Sequence, residues 1–134
     1  MKMGRAKELI YTDIMSGGIA NIPIKVGEME YSVINADFDG EWFVITAKEK
    51  VFKALNGDTI ESNDVATFEF QHSKVRAETR ELLPDVVENP GDYNVIVELW
   101  RSALSNRYMQ IMYLVKDGKK YFVARTPYYN PELQ

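Results

Sequence analysis

The sequence contains no cysteine and one histidine, His72. Without cysteine there are no disulfides and no thiol nucleophile, and a reducing compartment is the natural setting. One histidine is too few for a structural zinc site, which draws on several His or Cys ligands, so no metal is expected. Long apolar runs are missing too. Stretches such as "WFVI" fall far short of the roughly 20 residues that a membrane-spanning helix needs. The N-terminal "MKMGRAKELIYTDIMSGG" opens basic but has no apolar h-region, so it does not read as a signal peptide. These absences predict a soluble, cytoplasmic protein with no membrane partner. No Walker A or GxGxxG pattern occurs, and Gly17-Gly18 lacks the context of a phosphate loop. No cofactor is expected.

The 134 residues suit one α+β domain, 1–134. Within it, residues 127–134 read as an extended C-terminal tail, because Pro127 and Pro131 bar a central strand. A chain of this size buries roughly two thirds of its unfolded surface and needs no covalent staples. The net charge of -4 hides an asymmetry. Residues 101–134 carry six Lys/Arg against two Asp/Glu, whereas residues 1–100 carry ten against eighteen. A basic third on an acidic body can steer an anionic partner. Lysines that guard sheet edges account for the same pattern.

Along the chain, Ala6, Leu9, Ile10 and Ile14 lie at near-helical spacing, which favours a helix over about residues 4–15, with a strand as the alternative. "IANIPIKV" reads as a strand, with Pro23 placing it at an edge. "ADFDGEWF" predicts a hairpin with Asp39-Gly40 as its central pair. That register sets Phe38 opposite Glu41, and it puts Ile34, Ala36, Phe38, Phe43 and Ile45 on one face. Tyr31, Val33, Asn35, Asp37, Trp42 and Val44 then share the other. "KEKVFKALNG" fits a short capped helix or a continuing strand. "DVATFEFQH" fits a strand and "NPGD" a turn, while "SKVRAETRELLP" fits a helix ended by Pro84 or, through the alternation of Val75, Ala77 and Thr79, a strand.

The C-terminal third alternates most clearly. Three strands are predicted, joined by "SALSN" and by Asp117-Gly118, with Arg101 opposite Arg107 and Lys116 opposite Lys119. One face then carries Tyr93, Val95, Val97, Leu99, Met109, Ile111, Tyr113, Val115, Phe122 and Ala124. The reverse face carries Ile96, Trp100, Tyr108, Gln110, Met112, Leu114, Tyr121, Val123 and Arg125. Neither is polar, as a solvated face should be. A helix of the same chain, a second copy or a partner is therefore expected to cover the reverse face.

Candidate sites follow from that face. Trp100, Tyr108, Met112, Tyr121 and Arg125 form a predicted binding set for a protein partner or for self-association. Arg101, Arg107, Lys116, Lys119 and Lys120 form an alternative set for single-stranded nucleic acid or another anionic ligand, with aromatic rings as stacking platforms. Acidic total charge and a missing RNP-type motif weigh against nucleic acid. His72 beside Ser73 has no nucleophile-elbow context. Asp37, Asp39 and Glu41 do not match a calcium loop, since Gly40 falls at the wrong position. No catalytic residue is assigned.

"FVITAKEKVF", "DTIESNDVATFEF" and "DGKKYFVAR" look like successive strands of bacterial pleckstrin-homology-like domains. The resemblance covers about half of the chain, and it implies a curved antiparallel barrel that binds lipids or proteins. It departs at the C-terminus, where that family has a long helix and this chain has prolines. It transfers no residue role. The expected fold is thus α+β: a mostly antiparallel sheet of six or seven strands, or a partly open barrel, with one to three short helices. The expected function is a non-enzymatic binding or regulatory accessory protein of the kind that phages and mobile elements carry. A hydrolase using carboxylates and His72 is the enzymatic alternative.

Overall fold

The structure is a computed structural model that describes residues 5–8, 23–53, 59–61 and 64–126. Its strands are β1 (Arg5–Glu8), β2 (Pro23–Phe38), β3 (Trp42–Lys53), β4 (Thr59–Glu61), β5 (Val65–Gln71), β6 (Asn94–Ser102), β7 (Tyr108–Lys116) and β8 (Lys119–Arg125). All belong to one sheet, ordered β1-β5-β3-β2-β6-β7-β8, with β4 on β3. The six strands from β5 to β8 pair antiparallel. β1 adds to β5 in parallel. Among the described residues the sheet is open: β1 and β8 end it and do not pair. The barrel implied by the family resemblance is not closed.

Between β5 and β6 the chain crosses one face of the sheet. This crossover holds a 3-10 turn (His72–Lys74), helix α1 (Ala77–Arg80), helix α2 (Leu83–Glu88) and a second 3-10 turn (Pro90–Asp92). It starts at the β2–β3 hairpin, where the His72 N–H donates to the Glu41 carbonyl at 2.7 Å. It then reaches β8, where the Thr79 hydroxyl donates to the Phe122 carbonyl. It returns to β2, where the Val33 N–H donates to the Tyr93 carbonyl at 3.2 Å. Val75, Leu83 and Val86 from this segment fill the core with Tyr31, Phe43, Ile45, Phe68, Val95, Val97, Met112 and Leu114. Burying side chains of this size contributes about 1.5–3 kcal/mol each. Tyr31 meets Phe68, and Phe43 meets Phe70, edge to face.

Several sequence expectations change. Arg5–Glu8 is a strand, so the helix over 4–15 fails there, and residues 9–15 lie outside the described residues. The edge of β5 offers backbone partners that outweigh local helical spacing. Pro23 opens β2, and residues 23–29 pair with β6 alone among the described strands, so this half of β2 is at an edge as expected, while β3 joins from Glu30 onward. Proline is tolerated at a strand's first residue. "KEKVFK" continues β3 as a strand. "SKVRAETRELLP" gives two short helices, and Pro84 sits in the first turn of α2. There its missing N–H costs no helical hydrogen bond.

Both predicted hairpins form, with instructive registers. Asp117 and Gly118 have φ of 53° and 78°, and Lys116 faces Lys119 as expected. In the first hairpin Phe38 faces Phe43, so the central pair is Gly40-Glu41. Gly40, at φ 99°, takes the left-handed position. The Asp39 carboxylate accepts from the N–H groups of Glu41 and Trp42 at 2.8 and 2.7 Å, which fixes the turn one residue later. A bulge at Ile34 then moves Val33 and Tyr31 onto the core face and leaves Ile34 exposed. The β6–β7 pair also slips by one. Arg101 faces Tyr108, not Arg107, because residues 103–106 form a four-residue loop with Asn106 at φ 52°.

Candidate functional site

That one-residue slip redistributes the predicted binding set. Trp100 faces Met109, and Ile111 faces Arg125, on the face turned away from the helices. Met112 faces Val97, and Leu114 faces Tyr121, on the helix-covered face. Met112 is fully buried in the core and presents no surface to a partner. Tyr108 and Tyr121 are half-buried on its side of the sheet. Trp100 and Arg125 therefore share the outer face, and the other three do not.

The outer face of β6, β7 and β8 is organised around a residue that the sequence did not single out, Glu98. Its row runs Glu28–Glu98–Ile111–Arg125 across four strands. The neighbouring rows are Lys25–Trp100–Met109 and Ile96–Tyr113–Phe122. Glu98 is 3% exposed. Its Oε1 accepts from the Trp100 indole N–H at 2.9 Å, and its Oε2 accepts from Lys120 Nζ at 2.8 Å. Lys25 Nζ lies 3.3 Å from Oε2. Glu28 closes the cluster, bridging Lys25 and Lys120. Lys120 Nζ stands 5.2 Å above the Tyr113 ring, and Tyr113 meets Phe122 edge to face.

The charges in this cluster are fixed by opposing effects. Burial pushes the Glu98 carboxyl up, but hydrogen bonds from Lys120 and Trp100, the Lys120 charge and Lys25 outweigh it. The net result is a pKa of about 2. Burial and the adjacent Glu98 charge push the Tyr113 hydroxyl up to about 12. The bond to Glu98 raises Lys120, and the bond to Glu28 raises Lys25. Near neutral pH Glu98 stays ionised and Tyr113 stays protonated. The arrangement holds charge in place and is not poised to exchange protons. Lys120, set over the Tyr113 ring, also shields part of that apolar surface, as long cationic side chains do. The face that the sequence left uncovered is thus tiled, in part, by its own ion pairs.

The alternative anionic-ligand set is dispersed. Arg101 and Arg107 stand at the β6–β7 hairpin, and Lys116 and Lys119 at the opposite end of β7 and β8. Nine residues of β7 separate these ends by about 25 Å at the usual strand rise. Lys120 belongs to the Glu98 cluster. Lys116 belongs to another cluster, in which Asp85 accepts from Lys116 Nζ at 3.1 Å, from the Asn89 amide at 3.1 Å and from the Tyr93 hydroxyl. That group holds α2 to the sheet, and the Tyr93 bond is the first cause that keeps the Asp85 carboxyl below its ordinary value. Lys119 Nζ sits 5.1 Å over the Tyr121 ring.

The His72 ring lies against Phe38 at a tilt of 40°, centroids 5.0 Å apart, and the His72 carbonyl accepts from Arg80 Nε at 3.1 Å. Arg125 is buried, with Nη1 2.9 Å from Met109 Sδ. Among the described residues no three His, Asp or Glu groups cluster closely enough to hold a metal ion, and no helix is long and apolar enough to cross a membrane. A signal for Glu98 does exist in the sequence: a carboxylate inside the apolar run "VIVELW", with lysines near the neighbouring strand ends. Reading it requires the cross-strand register, which the hairpin loops alone did not supply. No protein-family model matches the chain, and neither a curated protein nor a solved structure matches it.

Proposed function

We propose that the protein is a non-enzymatic binding module that engages a protein partner through the outer face of β6, β7 and β8. The observation that carries this reading is the pre-set state of that face. Half-buried Trp100, Tyr113 and Phe122 surround a carboxylate whose hydrogen bonds are already made within the chain. Rigid aromatic groups around an ordered polar centre are the usual anchors of protein interfaces. The Trp100 N–H is committed to Glu98, so holding its rotamer on docking costs little further entropy. Such a module regulates by occupying a surface of another protein.

A photo-crosslinking phenylalanine analogue at Tyr113, in cells of the native host, tests the reading. A discrete protein adduct should form there, should not form with the same probe at exposed Lys74, and should disappear with Trp100→Ala. Equal adducts at both positions, or adducts that survive Trp100→Ala in a folded variant, would overturn it.

A further inference from the structure

We infer that copies of the chain associate head to tail, the β6–β7 hairpin end of one copy docking on the β2–β3 hairpin corner of the next. The starting observation is where exposed apolar groups lie. Among the described residues five large hydrophobic side chains are exposed. Three of them, Ile24 (52%), Val26 (57%) and Leu104 (76%), gather where β2 begins and the β6–β7 loop turns. The other two, Ile34 (54%) and Trp42 (39%), lie toward the opposite end of β2. The two groups are separated by much of a sixteen-residue strand, tens of ångströms at about 3.3 Å per residue. Exposed apolar groups scattered singly need no explanation, but grouping at two poles does.

The poles carry opposite charge. At the first, Arg101 lies directly across from Ile24, and Arg107 closes the loop that carries Leu104. Both arginines are exposed, and neither forms an ion pair with a described residue. Among the described residues, the carboxylates nearest in the register, Glu28 and Glu98, are held by Lys25 and Lys120. At the second pole, Val44 on the outer face is flanked by Asp37 on one side and Glu69 on the other. Trp42 stands one step along the same face, next to Asp39 and Glu41. All four carboxylates are exposed, and none is ion-paired with a described residue.

An apolar, arginine-flanked end and an apolar, acidic corner complement each other. Each opposes itself, because either pole against its own copy would juxtapose like charges. A two-fold dimer through one pole is therefore disfavoured, and a heterologous contact that repeats along a row is favoured. Tyr113 and Phe122, in the middle of β7 and on β8, belong to neither pole, so the contact does not draw on those two aromatic groups of the proposed binding face.

Two blocking variants test it. Leu104→Ser with Arg107→Ser blocks the first pole without reversing its charge, and Asp37→Lys with Glu69→Lys blocks the second. All four positions are exposed, so the variants should fold, which circular dichroism and melting check. By sedimentation, the weight-average mass of the unmodified chain should rise with concentration beyond about twice the monomer and fall in high salt. Each variant alone should stay monomeric. Mixed in equal amounts, they should form a dimer and nothing larger, since one intact pole of each remains. An unmodified chain that stays monomeric at millimolar concentration would overturn the inference, as would single-pole variants that still associate alone or a mixture that forms no dimer.

Discussion

Glu98→Gln removes one charge from the most buried carboxylate described and leaves the side-chain volume nearly intact. The magnitude follows from the folded-state pKa of about 2 against an ordinary 4.5. Each pKa unit corresponds to about 1.4 kcal/mol, so ionised Glu98 favours the fold by about 3 kcal/mol near pH 7. Lys25 and Lys120 are partly exposed and rehydrate when the carboxylate is gone, which trims the expected loss to about 2–3 kcal/mol. For a chain of this length that is a drop in melting temperature of about 8–12 °C. The sign of the pH dependence is fixed, because the folded pKa lies below the unfolded one. The stabilisation is complete above about pH 4.5 and is lost as pH falls toward about 2. Urea denaturation of both proteins from pH 7 to pH 2 reads this out. The gap between them should be largest at pH 7 and should narrow across that acidic window. A gap that stays constant down to pH 2, or one below about 0.5 kcal/mol at pH 7, would show that the cluster does not hold Glu98 in its charged form.

Two further predictions address the fold that positions this face. The bulge at Ile34 predicts that Ile34→Thr changes stability by less than about 0.5 kcal/mol, whereas Val33→Thr costs about 1–3 kcal/mol in chemical denaturation. The opposite ranking would restore the unbulged register. Thr79→Val keeps the shape of a buried side chain but removes its hydroxyl donor to Phe122. It should cost about 1–2 kcal/mol and speed amide exchange in β8; unchanged exchange there would remove α1 as the guard of that strand.

How much of this was legible in the sequence depended on how local each signal was. Asp117-Gly118 announced its turn, because both residues tolerate positive φ and nothing else competes. Asp39-Gly40 announced a turn but not its centre, since the Asp39 carboxylate spends its acceptors on the next two N–H groups. The change advanced both strands together, so Ala36, Phe38, Phe43 and Ile45 kept the same face. The bulges at Val26, Ile34 and Val123 leave no local mark, yet each re-aims the residues before it. In the candidate site, Trp100 and Arg125 were readable as outer-face residues from alternation alone. Glu98, Lys25 and Glu28 were not, because their meaning lies in three strands meeting in one register.

The crossover that spans the sheet also sets an order of events during synthesis. Thr79 must reach the carbonyl of Phe122, and Val75 shares a core with Val123. α1 therefore has no landing place until β8, the last described strand, has been made. Single-turn helices are not stable alone, so α1 must wait on the growing chain, while the ends of the crossover can already reach the β2–β3 hairpin through His72 and β2 through Tyr93. Closure of the core is then one late, long-range step, slow in the way that non-local sheets are slow. A ribosome stalled before Phe122 would hold a chain whose α1 still lacks its hydrogen-bond acceptor on β8.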